Sequence, residues 1–88
     1  MYKISYLEDV VKIDIPKLDY AAKKLIKETI EKKLAHNPIE FGKPLQYSLK
    51  SCRRLRIGDY RVIYQVLHVN REVTVIYIRH RSVAYRGL

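Results

Sequence analysis

The alternation of apolar and polar positions divides this 88-residue chain into strand-like and helix-like segments. Near the N-terminus, Tyr2, Ile4 and Tyr6 alternate with polar residues, which is the period of a strand with one buried face. Over residues 8–18 the apolar side chains recur at helical spacing instead. Pro16 removes a backbone donor within that segment, so we expect a helix there that is short or interrupted.

A second helix is predicted from Asp19 onwards, because its carboxylate can accept hydrogen bonds from the unpaired amides of the first helical turn. One face of this helix is mainly apolar, with residues at helical spacing that are Ala22, Leu25, Ile26, Thr29, Ile30 and Leu34. Lysines and glutamates occupy the opposite face, and Asn37-Pro38 ends the helix. Residues 39–46 are expected to form a loop.

The remainder of the chain has strand character, interrupted by two turns. Strands are predicted over residues 49–57, 60–69 and 72–79, with two-residue turns at Gly58-Asp59 and Asn70-Arg71. The fold class is therefore α+β: an N-terminal strand, two helices and then a three-stranded antiparallel meander. The helices are expected on one face of the sheet, in a single domain over residues 1–88.

The first hairpin brings like charges together. If Gly58-Asp59 is a two-residue loop, Arg56 lies directly opposite Arg61, and Arg54 shares their face. Like charges in this position destabilise a sheet, so the arrangement is favoured when an anion occupies the face.

The second hairpin adds a further group to this face, in one of two registers. A loop of Asn70-Arg71 places His80 opposite Arg61, whereas one more loop residue places Arg81 there, because a single-residue slip reverses every side chain. The pattern leaves both registers open.

The composition agrees with an anionic partner. Eighteen Lys and Arg against nine Asp and Glu give a formal charge of +9, which suits nucleic acid, an anionic membrane or an acidic protein. Cys52 is the one cysteine, so an internal disulfide is excluded and a cytoplasmic setting is expected. No apolar run approaches the roughly 18 residues of a membrane span, and the N-terminus lacks the apolar core of a signal peptide. No membrane partner is therefore predicted.

A face of arginines is suited to the cleavage of RNA. In that reaction the 2′-hydroxyl attacks the adjacent phosphorus, and guanidinium groups can stabilise the charge on the phosphorane. Tyrosine or histidine could transfer the protons, so neither a metal nor another cofactor is required. The three histidines, His36, His68 and His80, lack metal-ligand spacing, and Cys52 lacks the His and Asp partners of a nucleophile.

Two motifs resemble those of a known family. Residues 53–66, RRLRIGDYRVIYQV, and residues 79–85, RHRSVAY, closely resemble the signature of the RelE/ParE toxin superfamily. The resemblance implies a RelE-like microbial RNase fold and the toxin component of a type II toxin–antitoxin system. It implies a metal-independent endoribonuclease, an mRNA interferase, that cleaves mRNA in the ribosomal A site and so inhibits translation.

The resemblance also implies roles for individual residues. Arg61 would stabilise the transition state, Arg81 would assist the leaving group, and Arg54 would contact phosphate in place of a family lysine. Tyr85 would transfer a proton or stack on a base. The expected contacts with substrate or ribosomal RNA are Arg53, Arg56 and His80.

This sequence departs from the family pattern at two positions. Cys52 stands where a second lysine is expected, and Arg79 stands where the family typically has glycine. Both departures leave the identity of the general base open.

The implied partners are a cognate RelB-like antitoxin, mRNA and the ribosome with its rRNA. The toxin and antitoxin would form a hetero-oligomer, which could also bind DNA through the antitoxin. One alternative is a ParE-like toxin that inhibits DNA gyrase without nuclease activity, and another is an inactive member kept as a binding module. The presence of Arg54, Arg61, Arg81 and Tyr85 favours the RelE-like alternative.

Overall fold

The computed structural model describes residues 1–45 and 52–84, and in these segments five strands form one mixed sheet in the order β1-β5-β4-β3-β2. The strands are β1 (Lys3–Tyr6), β2 (Lys43–Pro44), β3 (Cys52–Ile57), β4 (Tyr60–Leu67) and β5 (Glu72–His80). Strand β1 runs parallel to β5, whereas the remaining neighbours are antiparallel. The predicted α+β class and its antiparallel meander are confirmed.

The helices lie mainly between β1 and β2. A π-helical turn (Val10–Asp14) leads into a 3₁₀ turn (Ile15–Lys17), and α1 (Tyr20–Thr29) continues as a second π-helical turn (Ile30–Leu34). Two short helices follow, α2 (Pro38–Phe41) and α3 (Arg81–Ala84). Within residues 1–45 and 52–84, no helix is both long and apolar enough to cross a membrane.

The start of each helical segment follows the local sequence. Pro16 lies in the 3₁₀ turn, so the predicted interruption of the first helix is confirmed. The wider π-helical turn before it buries Val10, whereas the neighbouring Val11 is 52% exposed. Asp19 caps α1 as predicted, with its Oδ1 accepting from the Ala22 amide at 2.7 Å.

The helices cover one face of the sheet and form the core with it. The apolar residues buried between the two layers are Val10, Leu18, Ile26, Ile30, Leu34, Leu55, Ile57, Val62, Tyr64, Val66, Val73, Val75 and Ile78. On β3 and β4 these residues alternate with Arg54, Arg56 and Arg61, which therefore project from the opposite face. The burial of one face fixes which side chains the other face can present.

The segment predicted as a loop contains two short elements. Proline suits the first position of a helix, where its missing N–H is not needed, and Pro38 begins α2 in this way. Lys43 and Pro44 then pair with Arg54 and Arg53 as the outer strand β2. The predicted strand over residues 49–57 is described from Cys52 onwards, and its first residues lie outside the described part of the chain.

The second hairpin has neither of the predicted registers. Leu67 pairs with Glu72, so the loop contains four residues, and Arg71 has a left-handed φ of 50°. A bulge beside Ile63 and Tyr64 then adds one residue to β5. The longer loop and the bulge together move the pairing by one residue from the register that placed His80 opposite Arg61. Arg79 therefore lies opposite Arg61. The expectation that His80 or Arg81 takes this position is wrong.

Candidate nucleic-acid interface

Three arginines lie side by side across the sheet, and we call them the arginine row: Arg56, Arg61 and Arg79. Arg56 pairs with Arg61 between β3 and β4, as the sequence predicted, and Arg61 pairs with Arg79 between β4 and β5. Adjacent strands are about 4.8 Å apart, so the row spans roughly 10 Å of the surface. Such a concentration of like charge suits an anion long enough to contact several of the guanidinium groups.

Arg79 is the residue of the row that sequence reasoning missed. Its guanidinium carbon lies 4.3 Å from the centroid of the Tyr77 ring, which is a cation–π contact. The same bulge places Tyr77 on the arginine face, opposite Ile63. The sequence contained one signal for Arg79, because this residue stands where the family typically has glycine and adds a cation to the segment of residues 79–85.

A second row lies next to the arginine row. It contains Arg54, Ile63 and Tyr77, which occupy successive partner positions on β3, β4 and β5. Ile63 is only 3% exposed, whereas Arg54 is exposed. The predicted position of Arg54 on the face of Arg56 and Arg61 is confirmed.

One cavity opens at the hairpin end of the arginine row, and we call it the hairpin cavity. Its volume is about 290 Å³, and its lining residues are Arg56, Asp59, Tyr60, Arg61, Arg81 and Ser82. The Arg81 amide donates to the Asp59 carbonyl at 2.7 Å, and this bond holds the start of α3 against the β3–β4 turn. Arg81 is thereby placed beside Arg56 and Arg61.

A larger cavity lies at the β3 side of the row, and we call it the edge cavity. Its volume is about 390 Å³, and the described residues that line it are Phe41, Lys43, Arg54, Leu55, Arg56 and Arg61. Every ionisable side chain among these is basic. The two cavities share Arg56 and Arg61, so these two arginines separate them.

Two of the predicted contacts lie away from this surface. Arg53 occupies the helix-covered face of β3, and its Nη2 donates to the carbonyls of Ile39 at 2.5 Å and Gly42 at 2.6 Å. His80 pairs with Tyr60, and their rings meet edge to face with 5.4 Å between centroids. Neither side chain joins the arginine row, and the predicted Tyr85 lies outside the described residues.

The hydrogen bonds of Arg53 help to hold the α2 segment on the sheet. The Tyr64 hydroxyl donates to the Pro38 carbonyl at 2.6 Å, so side chains from β3 and β4 satisfy three carbonyls of the α2 segment. Burial raises the pKa of the Tyr64 hydroxyl. Hydrogen bonding between the Arg53 and Tyr64 side chains and the positive charge of Arg53 act in the opposite direction, and burial has the larger effect. Gly42 has no room for a side chain, because a Cβ there would lie 1.9 Å from the Tyr64 hydroxyl.

The environment of Tyr77 argues against a role as a base. Burial raises the pKa of its hydroxyl, and the nearby charges of Arg79 and Arg61 offset this only in part. The hydroxyl is buried and makes no hydrogen bond to the described residues. Cys52 is also buried, and burial raises the pKa of its thiol, which favours the unreactive form predicted from the sequence.

This geometry occurs in a chain that resembles known proteins in both sequence and structure. The family model for the ParE toxin of the parDE type II toxin–antitoxin system matches residues 5–85. This chain belongs to that toxin family. Its membership in the wider RelE/ParE superfamily, predicted from the two motifs, is confirmed.

One curated relative is a toxin named RelE. The toxin RelE of Mycobacterium tuberculosis is 42% identical over 53 residues, which cover 60% of this chain and 55% of that protein. The match thus spans about half the length of this curated relative.

Solved structures share the fold along nearly the whole chain. The toxin–antitoxin complex RelBE2 of M. tuberculosis contains a chain with a TM-score of 0.84 and 25% identity, covering 91% of this chain and 98% of that one. The isolated RelE toxin of Escherichia coli gives a TM-score of 0.76 at 24% identity, covering 97% of this chain and 92% of that one.

Proposed function

We propose that this protein is a ribosome-dependent endoribonuclease toxin that cleaves mRNA in the A site and is neutralised by a cognate RelB-like antitoxin. The observation that carries the proposal is the position of Arg61, in the middle of the arginine row and in the lining of both cavities. A phosphate placed there has guanidinium groups on either side. The relatives named RelE support the same toxin type.

The chemistry follows from the charges that develop during cleavage. The 2′-oxygen forms a bond to phosphorus while the bond from phosphorus to the 5′-oxygen breaks. The products are a 2′,3′-cyclic phosphate and a 5′-hydroxyl. The proton of the 2′-hydroxyl passes to a base, and a proton is delivered to the departing 5′-oxygen. The extra negative charge of the phosphorane is greatest between these two steps.

The proposed roles of the arginines follow the placement of their side chains, and the role of Tyr85 follows from the family resemblance alone. Arg61 stabilises the phosphorane, with Arg56 and Arg54 holding the flanking phosphate oxygens by charge-assisted hydrogen bonds. Arg81, at the hairpin cavity, stabilises the leaving oxygen, and Tyr85 is proposed as the proton-transfer residue. Arg79 is added to the substrate contacts, whereas Arg53 and His80 are not carried forward as RNA contacts.

The test is a translation reaction reconstituted with purified ribosomes and a defined message. The wild-type toxin should produce new mRNA 3′ ends at the codon in the A site. Arg61→Ala should slow cleavage by about 100- to 1,000-fold, as expected for the loss of one group that stabilises charge in the transition state. Lys24→Ala, on the exposed side of α1, removes the same charge away from the row and should cleave normally.

Two results would contradict the proposal. The first is an intact message at a dose of toxin that arrests growth when expressed in cells. The second is the appearance of gyrase-linked DNA breaks in those cells, which would support the ParE-like alternative instead.

A further inference from the structure

The edge cavity contains an aromatic ring that the core does not use. Phe41 is 39% exposed at the end of α2, and it lines this cavity together with Lys43, Arg54 and the shared pair Arg56 and Arg61. The cavity therefore combines one apolar ring with a basic wall. A partner that fits both has a flat ring that can stack on Phe41 and a nearby anion.

The backbone that carries Phe41 is held firmly from below. Arg53 donates to the carbonyls of Ile39 and Gly42, two residues before and one residue after Phe41, and Tyr64 donates to the Pro38 carbonyl. These three hydrogen bonds fix the α2 segment on the sheet. The Phe41 ring stays partly exposed, and the Lys33 ammonium lies 5.2 Å from its centroid. Binding a planar group to a ring held in this way requires little further ordering of the protein.

We propose that the edge cavity binds one nucleobase of the RNA, stacked on Phe41, next to the phosphate held by Arg56 and Arg61. This inference rests on the proposed function and names a base-binding subsite for it. Proteins that bind single-stranded RNA stack unpaired bases on aromatic side chains. The cavity volume of about 390 Å³ lies within the range of roughly 300–1,000 Å³ typical of small-molecule sites.

The two cavities lie on either side of Arg56 and Arg61, as two nucleosides lie on either side of a phosphate. A phosphodiester joins two nucleosides, and the shared arginines have one cavity on each side. A phosphate at Arg56 and Arg61 therefore directs one neighbouring nucleoside towards Phe41 and the other towards Arg81 and Ser82. Only the first of these two cavities is lined by Phe41, so the two nucleosides should be recognised differently.

The binding test uses short RNA that cannot be cleaved. The probes are a fully 2′-O-methylated trinucleotide, in which the attacking hydroxyl is blocked, and three versions that each lack one base. Phe41→Leu should weaken binding of the intact probe by roughly 10-fold or more, the effect of losing one base–aromatic stack. One of the abasic probes should bind the wild type as weakly as the intact probe binds Phe41→Leu. This abasic probe should bind the wild type and Phe41→Leu with equal affinity.

Matched variants identify the cause of any loss. Phe41→Tyr keeps the aromatic ring and should bind like the wild type. Tyr20→Leu removes an aromatic ring that is 80% exposed on α1, and it should have no effect. The melting temperature of each variant reports whether the substitution has altered the fold.

A second measurement uses the wild-type fold directly. Phe41 is the single phenylalanine of the chain, so uniform labelling with 4-fluorophenylalanine gives one ¹⁹F resonance. The intact trinucleotide should shift this resonance, and the abasic probe identified above should not. This reading does not depend on the stability of a variant.

The outcomes separate this inference from the function on which it rests. In one outcome, Arg61→Ala weakens RNA binding, Phe41→Leu binds like the wild type, and the intact and abasic probes have the same effect on the ¹⁹F resonance. That outcome overturns the base subsite and leaves the phosphate-binding face in place. If neither Arg61→Ala nor Phe41→Leu alters binding, the proposed RNA site falls with it.

Discussion

At the scale of single residues, burial decides the chemistry of the tyrosines more strongly than the neighbouring arginines do. Tyr77 lies among Arg61 and Arg79, whose charges favour the tyrosinate, yet its pKa is raised because the hydroxyl is buried. A cation placed over the ring does not supply the hydrogen bond that the hydroxyl lacks. Tyr77 therefore serves as the support on which Arg79 rests and not as a proton acceptor.

This arrangement predicts that Tyr77→Phe stabilises the protein. Leaving a buried hydroxyl without a partner costs about 1–3 kcal/mol, so its removal should raise the free energy of unfolding by about 1 kcal/mol. For a domain of this size that corresponds to roughly 4–8 °C in melting temperature. The ring that supports Arg79 is kept, so RNA cleavage should be unchanged.

The advantage of Tyr77→Phe should grow in alkali. A tyrosine with a raised pKa in the folded state contributes its full stability below the ordinary value of 10.0 and loses it as the pH rises towards the folded value, because the unfolded chain ionises first. Phenylalanine cannot ionise and loses nothing. Thermal melts from pH 7 to pH 11 provide the measurement, with Tyr20→Phe as the exposed control. A lower melting temperature for Tyr77→Phe at neutral pH would show that the hydroxyl has a partner.

At the scale of elements, the length of each turn determines how far the sequence could predict the site. The register of β3 and β4 was predicted correctly because Gly58-Asp59 is a two-residue turn, with Gly58 at a φ of +59°. This register alone places Arg54, Arg56 and Arg61 on one face.

The β4–β5 register could not be predicted in the same way. Its four-residue loop has Arg71, not glycine, in the left-handed conformation, and its bulge lies within a continuous run of apolar residues. Neither feature has a strong local signal, because core packing against the helices decides which apolar residue is the extra one. The predicted registers therefore missed Arg79 as the partner of Arg61.

The α2 segment was also missed, for a related reason. Its four residues are too few to show a helical period, and its position depends on hydrogen bonds from Arg53 and Tyr64, which lie far along the chain. The cavity lined by Phe41 follows from these long-range bonds. Sequence spacing could therefore find the arginine face but not the aromatic residue beside it.

Substitution of Gly42, after α2, and of Gly58, in the β3–β4 turn, should destabilise the protein for different reasons. Gly42→Ala would bring a Cβ to 1.9 Å from the Tyr64 hydroxyl and 3.0 Å from the Arg54 carbonyl, so the α2 segment or the Tyr64 ring of β4 must shift. Overpacking of this kind costs about 1–3 kcal/mol. Gly58→Ala meets nothing within 4 Å, and its cost of about 1 kcal/mol comes from the left-handed backbone.

Asparagine separates the two causes, because it tolerates the left-handed backbone better than alanine but is larger. In urea denaturation, Gly58→Asn should be more stable than Gly58→Ala. At position 42 the order should be reversed, with Gly42→Asn less stable than Gly42→Ala. The same order at both positions would contradict the steric account of Gly42.

At the scale of the whole molecule, the charge of +9 must be separated into a general attraction and a local site. Long-range attraction brings any polyanion to a basic protein, and it depends on the total charge. Contacts with individual phosphates release counterions and depend on where each cation lies. Arg79 allows the two effects to be distinguished, because it lies in the arginine row while Lys24 lies on the exposed side of α1.

Arg79→Ala and Lys24→Ala each lower the formal charge by one, from +9 to +8. Binding of the 2′-O-methylated RNA, measured from about 50 to 200 mM salt, gives the slope of log K against log salt concentration for each variant. Loss of one phosphate contact with a single strand should reduce the slope of Arg79→Ala by about 0.7, whereas Lys24→Ala should keep the wild-type slope. Equal slopes for the two variants would mean that total charge, and not the arginine row, holds the RNA.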